Sequence, residues 1–377
     1  MSRFLKSALL VMVVLVAADL VLAQLGKVMV PDWSLRTHRL KFRIPDPVFH
    51  HALAPQVIQV DRWGGASYRL VTNSLGGRDV EPRVVPLTAD HRRVAIIGDS
   101  FVEGVGYPFE QTFVGIVHDA MREKNVEVLN LGVSSYSPLL YWRKVQYMLE
   151  NKGLKFDDLL VFVDPGDILN EALWYDLGPD GSIISNIQGG INAEQRVGGA
   201  GDWLAVNSVV GKLMFMVADR WRLHLREKQI SDTERTGDES IDTVVNARDA
   251  SWTYDQKAWD SWGRLGLERA ITSLDRLREL TRQHGISLTV AAYPWPGQVW
   301  RGQIEARHRQ ALREWAAANH AGFIDLYPDF LAVPPQQAVK TWFIKGDVHW
   351  NDEGHRLVAS RVLDYLAPSV KSTTTAQ

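Results

Sequence analysis

The chain has 377 residues, 46% hydrophobic and 23% charged, with 42 basic against 44 acidic side chains and a formal net charge of −2. That is the profile of a globular protein with a sizeable core, and it leaves no electrostatic footprint for nucleic acid. There is no cysteine, which excludes disulfides and thiolate metal sites and fits an oxidising compartment. The length suits one large domain with additions, or two small ones.

The N-terminus carries Arg3 and Lys6 ahead of an apolar run from Ala8 to Ala23, interrupted by Asp19. A confident membrane span needs about 18 or more apolar residues, and this run falls slightly short. Val21-Leu22-Ala23 resembles a small-residue cleavage site, which would make residues 1–30 a signal peptide. Alternatively, the apolar character resumes from Leu25 to Val30 and makes an uncleaved signal anchor with its positive end in the cytoplasm. Either reading exports the rest of the chain, to a periplasmic or other extracytoplasmic location. The anchor, held in the inner membrane, is the favoured form.

Residues 31–88 hold short alternating runs such as "VIQVDRW" and "SYRLVTNS" with turn signals between them, and predict a small strand-rich lead-in. From Val94 the rhythm changes. Val94–Ile97, Val126–Leu131, Leu159–Val163, Leu288–Ala292 and Gly322–Leu326 are short apolar runs with β-branched residues, separated by amphipathic segments. The clearest of those is 257–284, where Leu267, Ala270, Ile271, Leu274 and Leu277 recur at helical spacing before a stop at His284-Gly285. Strands alternating with helices predict an α/β fold, a doubly wound parallel sheet with helices on both faces, over residues 89–368. An insertion at about 176–256 breaks the rhythm with Gly-rich turns and the polar run "REKQISDTERTGDESIDT", which predicts a mobile surface segment over 226–248. Residues 369–377 read as a frayed tail.

The chemistry first shows at "RVAIIGDSFVEG", residues 93–104, where a hydrophobic run stops at Gly98-Asp99-Ser100. In an open α/β sheet functional groups gather at the carboxyl ends of strands, and Ser100 sits at one. A serine hydroxyl needs a base within hydrogen-bonding reach, and the base needs an orienting acid. Far downstream, "KGDVHWNDEGHRLVASRVLDYL" places Asp347 and His349 around one residue just before a helix that Asn351 or Asp352 would cap. A second pair, Asp352 and His355, falls in the cap and first turn of that helix, where an acid offsets the dipole and a lone histidine is more often structural. No Gly-rich phosphate loop, HExxH motif or carboxylate cluster calls for a cofactor or a metal.

"GDSFVEG" after the first strand, the glycine ending the second in "LNLGVSS", and the late "DVHWNDEGH" together resemble the SGNH, or GDSL-type, hydrolase superfamily over roughly residues 93–367. The lead-in "YRLVTNSLGGRD" is similar to the segment that precedes this domain in many exported bacterial members. The resemblance implies a flavodoxin-like three-layer sandwich. It implies Ser100 as nucleophile with its own N–H as an oxyanion donor, Gly132 as a second donor, His349 as general base and Asp347 as its orienting acid. The commoner family spacing puts the acid where this chain has Gly346. The two-residue spacing followed by Trp is similar to the alginate O-acetyltransferase branch. One block departs: in "LLVFVDPGDILNE" Gly166 stands where the family's oxyanion-binding Asn belongs. A backbone N–H of Gly166, or Asn170 or Asn130, is a candidate substitute, since losing such a donor costs about 10²–10³ in kcat.

Fourteen tryptophans are many for this length. Most tryptophans pack in cores, yet exposed aromatic faces suit sugar rings, and Trp295 and Trp350 fall beside the predicted site, with Trp300 and Trp342 near them in sequence. Trp295, Trp350 and Asn170 are therefore the predicted substrate-binding residues. Three functions remain open: an esterase that removes an acyl group, with acetyl foremost, from an envelope carbohydrate; an acyltransferase that performs O-acetylation of an exported polysaccharide; and a non-catalytic carbohydrate-binding or scaffold protein of a polysaccharide export system. Expected partners are the carbohydrate or acyl-ester substrate, the membrane, and a membrane-bound acyl-donor protein.

Overall fold

The computed structural model describes residues 3–30, 33, 42–185, 200–227 and 233–371. The chain divides into two compact units. One comprises Met1–Arg43 with Gln188–Gln229, the other Ile44–Ile187 with Ile230–Gln377.

Four short strands come first, β1 (Arg43–Asp46), which enters the larger unit at Ile44, then β2 (His50–Leu53), β3 (Ile58–Trp63) and β4 (Ala66–Val71). β3 and β4 form an antiparallel hairpin that pairs Trp63 with Ala66. Only Gly64 and Gly65 lie between, at φ +56° and +81°. A two-residue turn with both φ positive has the twist that adjoining strands need, and glycine takes it without a Cβ clash.

The predicted strands form one five-stranded sheet: β5 (Arg92–Ile97), β6 (Val126–Asn130), β7 (Asp158–Val163), β10 (Ser287–Ala292) and β11 (Gly322–Asp325). The order is β11-β10-β7-β5-β6 and every pair is parallel. By chain position that is the 2-1-3-4-5 order of a flavodoxin-like sheet. Ile97 pairs with Val161, Ile96 with Asn130 and Ala292 with Val163, so the carboxyl ends of β7 and β10 lie level, and β5 and β6 stop two and three residues short of them. The chain leaves β5 in opposite directions at its two neighbours, and that switch point is where a crevice opens.

Helices cover the sheet because each carries an apolar stripe. Phe113, Val117 and Met121 from helix Phe113–Arg122, with Val358, Val362 and Leu366 from helix Asp352–Lys371, pack on Val94, Ile96, Val128, Leu160 and Phe162. Helix Arg264–Gln283 packs on helices Pro138–Gln146 and Asp167–Leu173. It buries Ala270, Leu274 and Leu277, while Leu267 and Ile271 are partly covered.

The insertion differs from its expectation. It holds strands β8 (Tyr175–Leu177) and β9 (Ile183–Ser185) and helices Ala200–Asn207, Val209–Glu227 and Glu239–Val245. The polar composition of 226–248 hides three apolar residues at helical spacing. Ile241, Val244 and Val245 are buried in the main core, so the second half of that stretch is packed, and residues 228–232 lie outside the described residues. Most of the predicted tail, residues 372–377, also lies outside them, while helix Asp352–Lys371 runs through Ala367 and Pro368 to Lys371.

In the smaller unit the apolar run and its resumption after Ala23 are one continuous helix, Arg3–Met29, long and apolar enough to cross a membrane.

Candidate active site

β5 ends at Ile97 and delivers Ser100 to the first position of a short helix, Ser100–Glu103, with Asp99 as its N-cap. The Asp99 carboxylate accepts from Phe101 N–H at 3.0 Å. The Ser100 hydroxyl lies 2.7 Å from His349 Nε2. His349 Nδ1 lies 2.5 Å from Asp347 Oδ1, which also accepts from the His349 backbone N–H at 3.0 Å. Residues 249 positions apart thus form a continuous Ser–His–Asp chain, and His355 is not part of it.

The loop that carries Asp347 and His349 is stapled where it begins and ends. Ile344 N–H donates to His349 C=O at 2.9 Å, Asn351 N–H donates to Trp342 C=O at 3.0 Å, and Gly346 turns the chain at φ +73°. The Asn351 side chain caps the following helix, accepting from Glu353 and Gly354 N–H. The Phe101 ring packs against the imidazole at 4.7 Å between centroids. With one ring nitrogen on the acid and the other on the hydroxyl, the imidazole is held in the orientation that proton transfer from Ser100 needs.

A residue that sequence reasoning missed completes the chain. Trp63, at the end of β3, donates its indole N–H to Asp347 Oδ2 at 2.8 Å, and its ring meets His349 edge-on at 5.1 Å. Burial pushes Asp347 up, but the His349 charge and hydrogen bonds from His349 and Trp63 outweigh it and hold the carboxyl below its ordinary value. Nothing local in "VDRWGGAS" announces this role; the hairpin registers as a signal, its destination does not.

The oxyanion expectations fare differently. Gly132 lies on the second strand's loop as expected, and a Cβ there would sit 2.6 Å from Val102 Cγ1 and 2.7 Å from Glu103 N. Only glycine permits this approach to helix Ser100–Glu103. Its N–H, however, donates to Asn130 Oδ1 at 2.9 Å. The Asn130 amide in turn donates to Val102 C=O, so Asn130 braces the two loops. Gly166 N–H is turned onto Asp164 Oδ1, which corrects the expectation that it offers a donor to the substrate. The space of the missing Asn side chain is filled: a Cβ at Gly166 would lie 2.7 Å from Asp164 Oδ1 and 3.0 Å from the Trp295 ring. Asn170 is buried in helix Asp167–Leu173.

The two predicted substrate tryptophans are also corrected. Trp350 is fully buried and packs on Phe101 and Tyr293 at 4.7 and 4.8 Å, so it is core. Trp295 is 8% exposed and spends its indole N–H on Asp164 Oδ2 at 2.6 Å. His355 is buried, its Nδ1 accepts from Phe113 N–H at 3.2 Å, and burial drops its pKa to about 3, so it is a neutral structural acceptor.

The sequence shows no carboxylate cluster, but folding makes one. Asp99, Asp164 and Asp167, from the ends of β5 and β7, are all buried and offer oxygens within 4.8 Å of one another. Their contacts are with neutral donors, among them Trp295 Nε1, the Tyr141 hydroxyl at 2.8 Å from Asp167 Oδ2, and Ser100 Oγ at 3.3 Å from Asp99 Oδ2. Burial pushes Asp99 up; burial and then the neighbouring acids push Asp164 and Asp167 well above the ordinary carboxyl range. This group lies beside Ser100.

No family profile matches the sequence, and no curated protein matches it. Among solved structures the chain is similar to the acetyl xylan esterase AlAXEase, at 13% identity over 73% of this chain and 99% of that one, with a TM-score of 0.40. It is similar to an acetylxylan esterase from Geobacillus stearothermophilus, solved as a catalytic mutant, at 11% identity over 74% and 95%, with a TM-score of 0.40. It is also similar to the psychrotrophic esterase EstA from Pseudoalteromonas, at 9% identity over 74% and 99%, with a TM-score of 0.39.

Proposed function

We propose that the chain is an SGNH-type serine enzyme of acyl-ester chemistry, acting through an acyl-Ser100 intermediate on an acylated carbohydrate of the cell envelope. The observation that carries this reading is the line from Ser100 Oγ through His349 to Asp347, with contacts of 2.7 and 2.5 Å. His349 Nε2 accepts the hydroxyl proton as Ser100 Oγ attacks the ester carbonyl, then returns it to the leaving alcohol. Asp347 holds Nδ1–H and balances the transient imidazolium. In the second half, water or a sugar hydroxyl gives its proton to His349 and attacks the acyl-serine. Water makes an esterase, a sugar hydroxyl an O-acyltransferase.

In this reading helix Arg3–Met29 is an inner-membrane anchor, the enzyme works in the periplasm, and a membrane-bound protein supplies the acyl group if the second half is transfer. A fluorophosphonate probe tests the nucleophile, with labelling of the native chain and none of Ser100→Ala expected. A donor–acceptor assay that counts released against transferred acyl groups separates the two second halves. A folded native chain that never labels would favour a carbohydrate-binding role.

A further inference from the structure

We propose that helix Ala200–Asn207 and the apolar stretch Val209–Ala218 that opens helix Val209–Glu227 form a second membrane-inserted element whose outer face is covered by lipid hydrocarbon. The proposal rests on the reading of helix Arg3–Met29 as a membrane anchor. It adds that the anchor is retained, because this insertion grips it inside the bilayer.

The N-terminal helix is exposed around most of its circumference. Its covered stripe is Asp19, Leu20, Ala23, Gly26 and Lys27, with Ala23 fully buried. Those positions are spaced as one helix face, and the two insertion helices pack on this helix. Trp33 folds back on the same stripe so closely that a Cβ on Gly26 would lie 2.6 Å from its ring.

Asp19 is the acid in the middle of the apolar run. A charged side chain at the centre of a bilayer costs about 2.5–3.5 kcal/mol or more, so it needs a partner there. Its Oδ1 accepts from Val210 N–H at 3.1 Å, at the first turn of helix Val209–Glu227. The eight-residue separation between Asp19 and Lys27 is about 12 Å along a helix axis. The start of the insertion helix therefore reaches well below the level of Lys27, into the depth of the hydrocarbon boundary. Processing after Ala23 would strip Asp19 from this contact.

The polar side of the unit is gathered at one end. Lys27 Nζ donates to Asn207 Oδ1 at 2.7 Å, and Trp33 Nε1 donates to Val206 C=O at 2.8 Å. Lys212 Nζ donates to Trp33 C=O at 2.7 Å and lies 4.9 Å over its ring. Lysine and tryptophan at one level are the anchors of a membrane–water interface, with the lysine stems snorkelling toward it.

The opposite face is apolar and open. Trp203, Leu213, Met214, Met216, Val217 and Trp221 are between 54% and 69% exposed, and Val209–Ala218 is an apolar stretch too short to span. A patch of this kind on a protein in water is a liability. Here it continues the surface of a helix whose other faces already require lipid, and a helix lying in the interface buries its apolar face about 5–10 Å into the headgroup boundary.

The chain has no native cysteine, so single-cysteine variants M214C and V217C test this in the full-length protein, with E279C on helix Arg264–Gln283 as the solvent control. The purified chain is reconstituted in phosphatidylcholine–phosphatidylglycerol vesicles and washed with alkaline carbonate before labelling. The expected result is retention in the pellet, labelling of E279C by a membrane-impermeant maleimide, and loss of labelling at 214 and 217 until SDS is added. A bimane attached through V217C should be quenched by lipid carrying an acyl-chain nitroxide. Retained protein that labels at 214 and 217 as fast as at 279 overturns the proposal and leaves the anchor standing. Protection without nitroxide quenching means a protein contact, such as a second copy, and also overturns it. Release by carbonate overturns the anchor reading and this proposal together.

Discussion

Trp63→Phe removes a contact that ties the N-terminal hairpin to Asp347 of the Ser–His–Asp chain. Phenylalanine keeps a ring beside His349 but removes the 2.8 Å donor from Asp347 Oδ2. A hydrogen bond to a charged group contributes about 1.5–3 kcal/mol. The Asp347 side chain is 22% exposed, so water replaces part of that, leaving about 1–2 kcal/mol of lost orientation. At 1.36 kcal/mol per factor of ten, kcat falls about 5- to 30-fold. KM for a small acyl ester should stay unchanged, because the contact is made to the chain's own carboxylate. With one donor removed, the Asp347 carboxyl moves back up toward its ordinary value, so the loss of activity on protonating that carboxyl, at the acid end of the pH series, shifts to higher pH. Steady-state kinetics on p-nitrophenyl acetate across pH measure all three. An unchanged kcat and acid limb, or a change confined to KM, would refute the positioning role and make Trp63 a substrate contact instead.

Ser100→Ala and His349→Ala should each remove most acyl transfer, with the double variant little worse, because the groups act as a unit; Asp347→Asn should cost less than His349→Ala, read from the same assay. His355→Ala should keep probe labelling but lose about 1–3 kcal/mol of stability, since it leaves the buried Phe113 N–H without its acceptor; urea unfolding measures it. Gly166→Asn should not restore a missing oxyanion donor: its Cβ meets Asp164 and Trp295 at 2.7 and 3.0 Å, so the expected result is a loss of about 1–3 kcal/mol and no gain in kcat. The depressed Asp347 pKa is a folded-state effect, so its contribution to stability is complete above the ordinary aspartate value and is lost as pH falls through the folded one. In Asp347→Asn that part of the acid destabilisation should be absent from a pH series of melting temperatures.

Much of the fold was legible because it rests on local periodicity. Five β-branched runs announced the five parallel strands, and the stripe through Ala270, Leu274 and Leu277 announced its helix. That Ser100, His349 and Asp347 could meet was legible because each sits at a punctuation mark, a strand end or a pre-helix loop, with a pattern around it. What lay beyond the sequence depends on which side chains the folded chain brings together over long separations. Trp63 joins the site across 284 positions through a hairpin whose own residues specify a turn and nothing of its destination. Trp350 follows His349 directly, yet the chain's return to the sheet buries it, while Trp295 is 8% exposed and gives its N–H to Asp164, so both are packed inside. Asp99, Asp164 and Asp167 look unrelated along the chain, and adjacent strand ends put them in one dry space. The polar stretch before residue 248 concealed Ile241, Val244 and Val245, because three apolar residues on one helix face are enough to dock it. Backbone pattern is a local property of the sequence; burial and hydrogen-bond partnership belong to the tertiary structure, where a side chain's neighbours are set by every other segment.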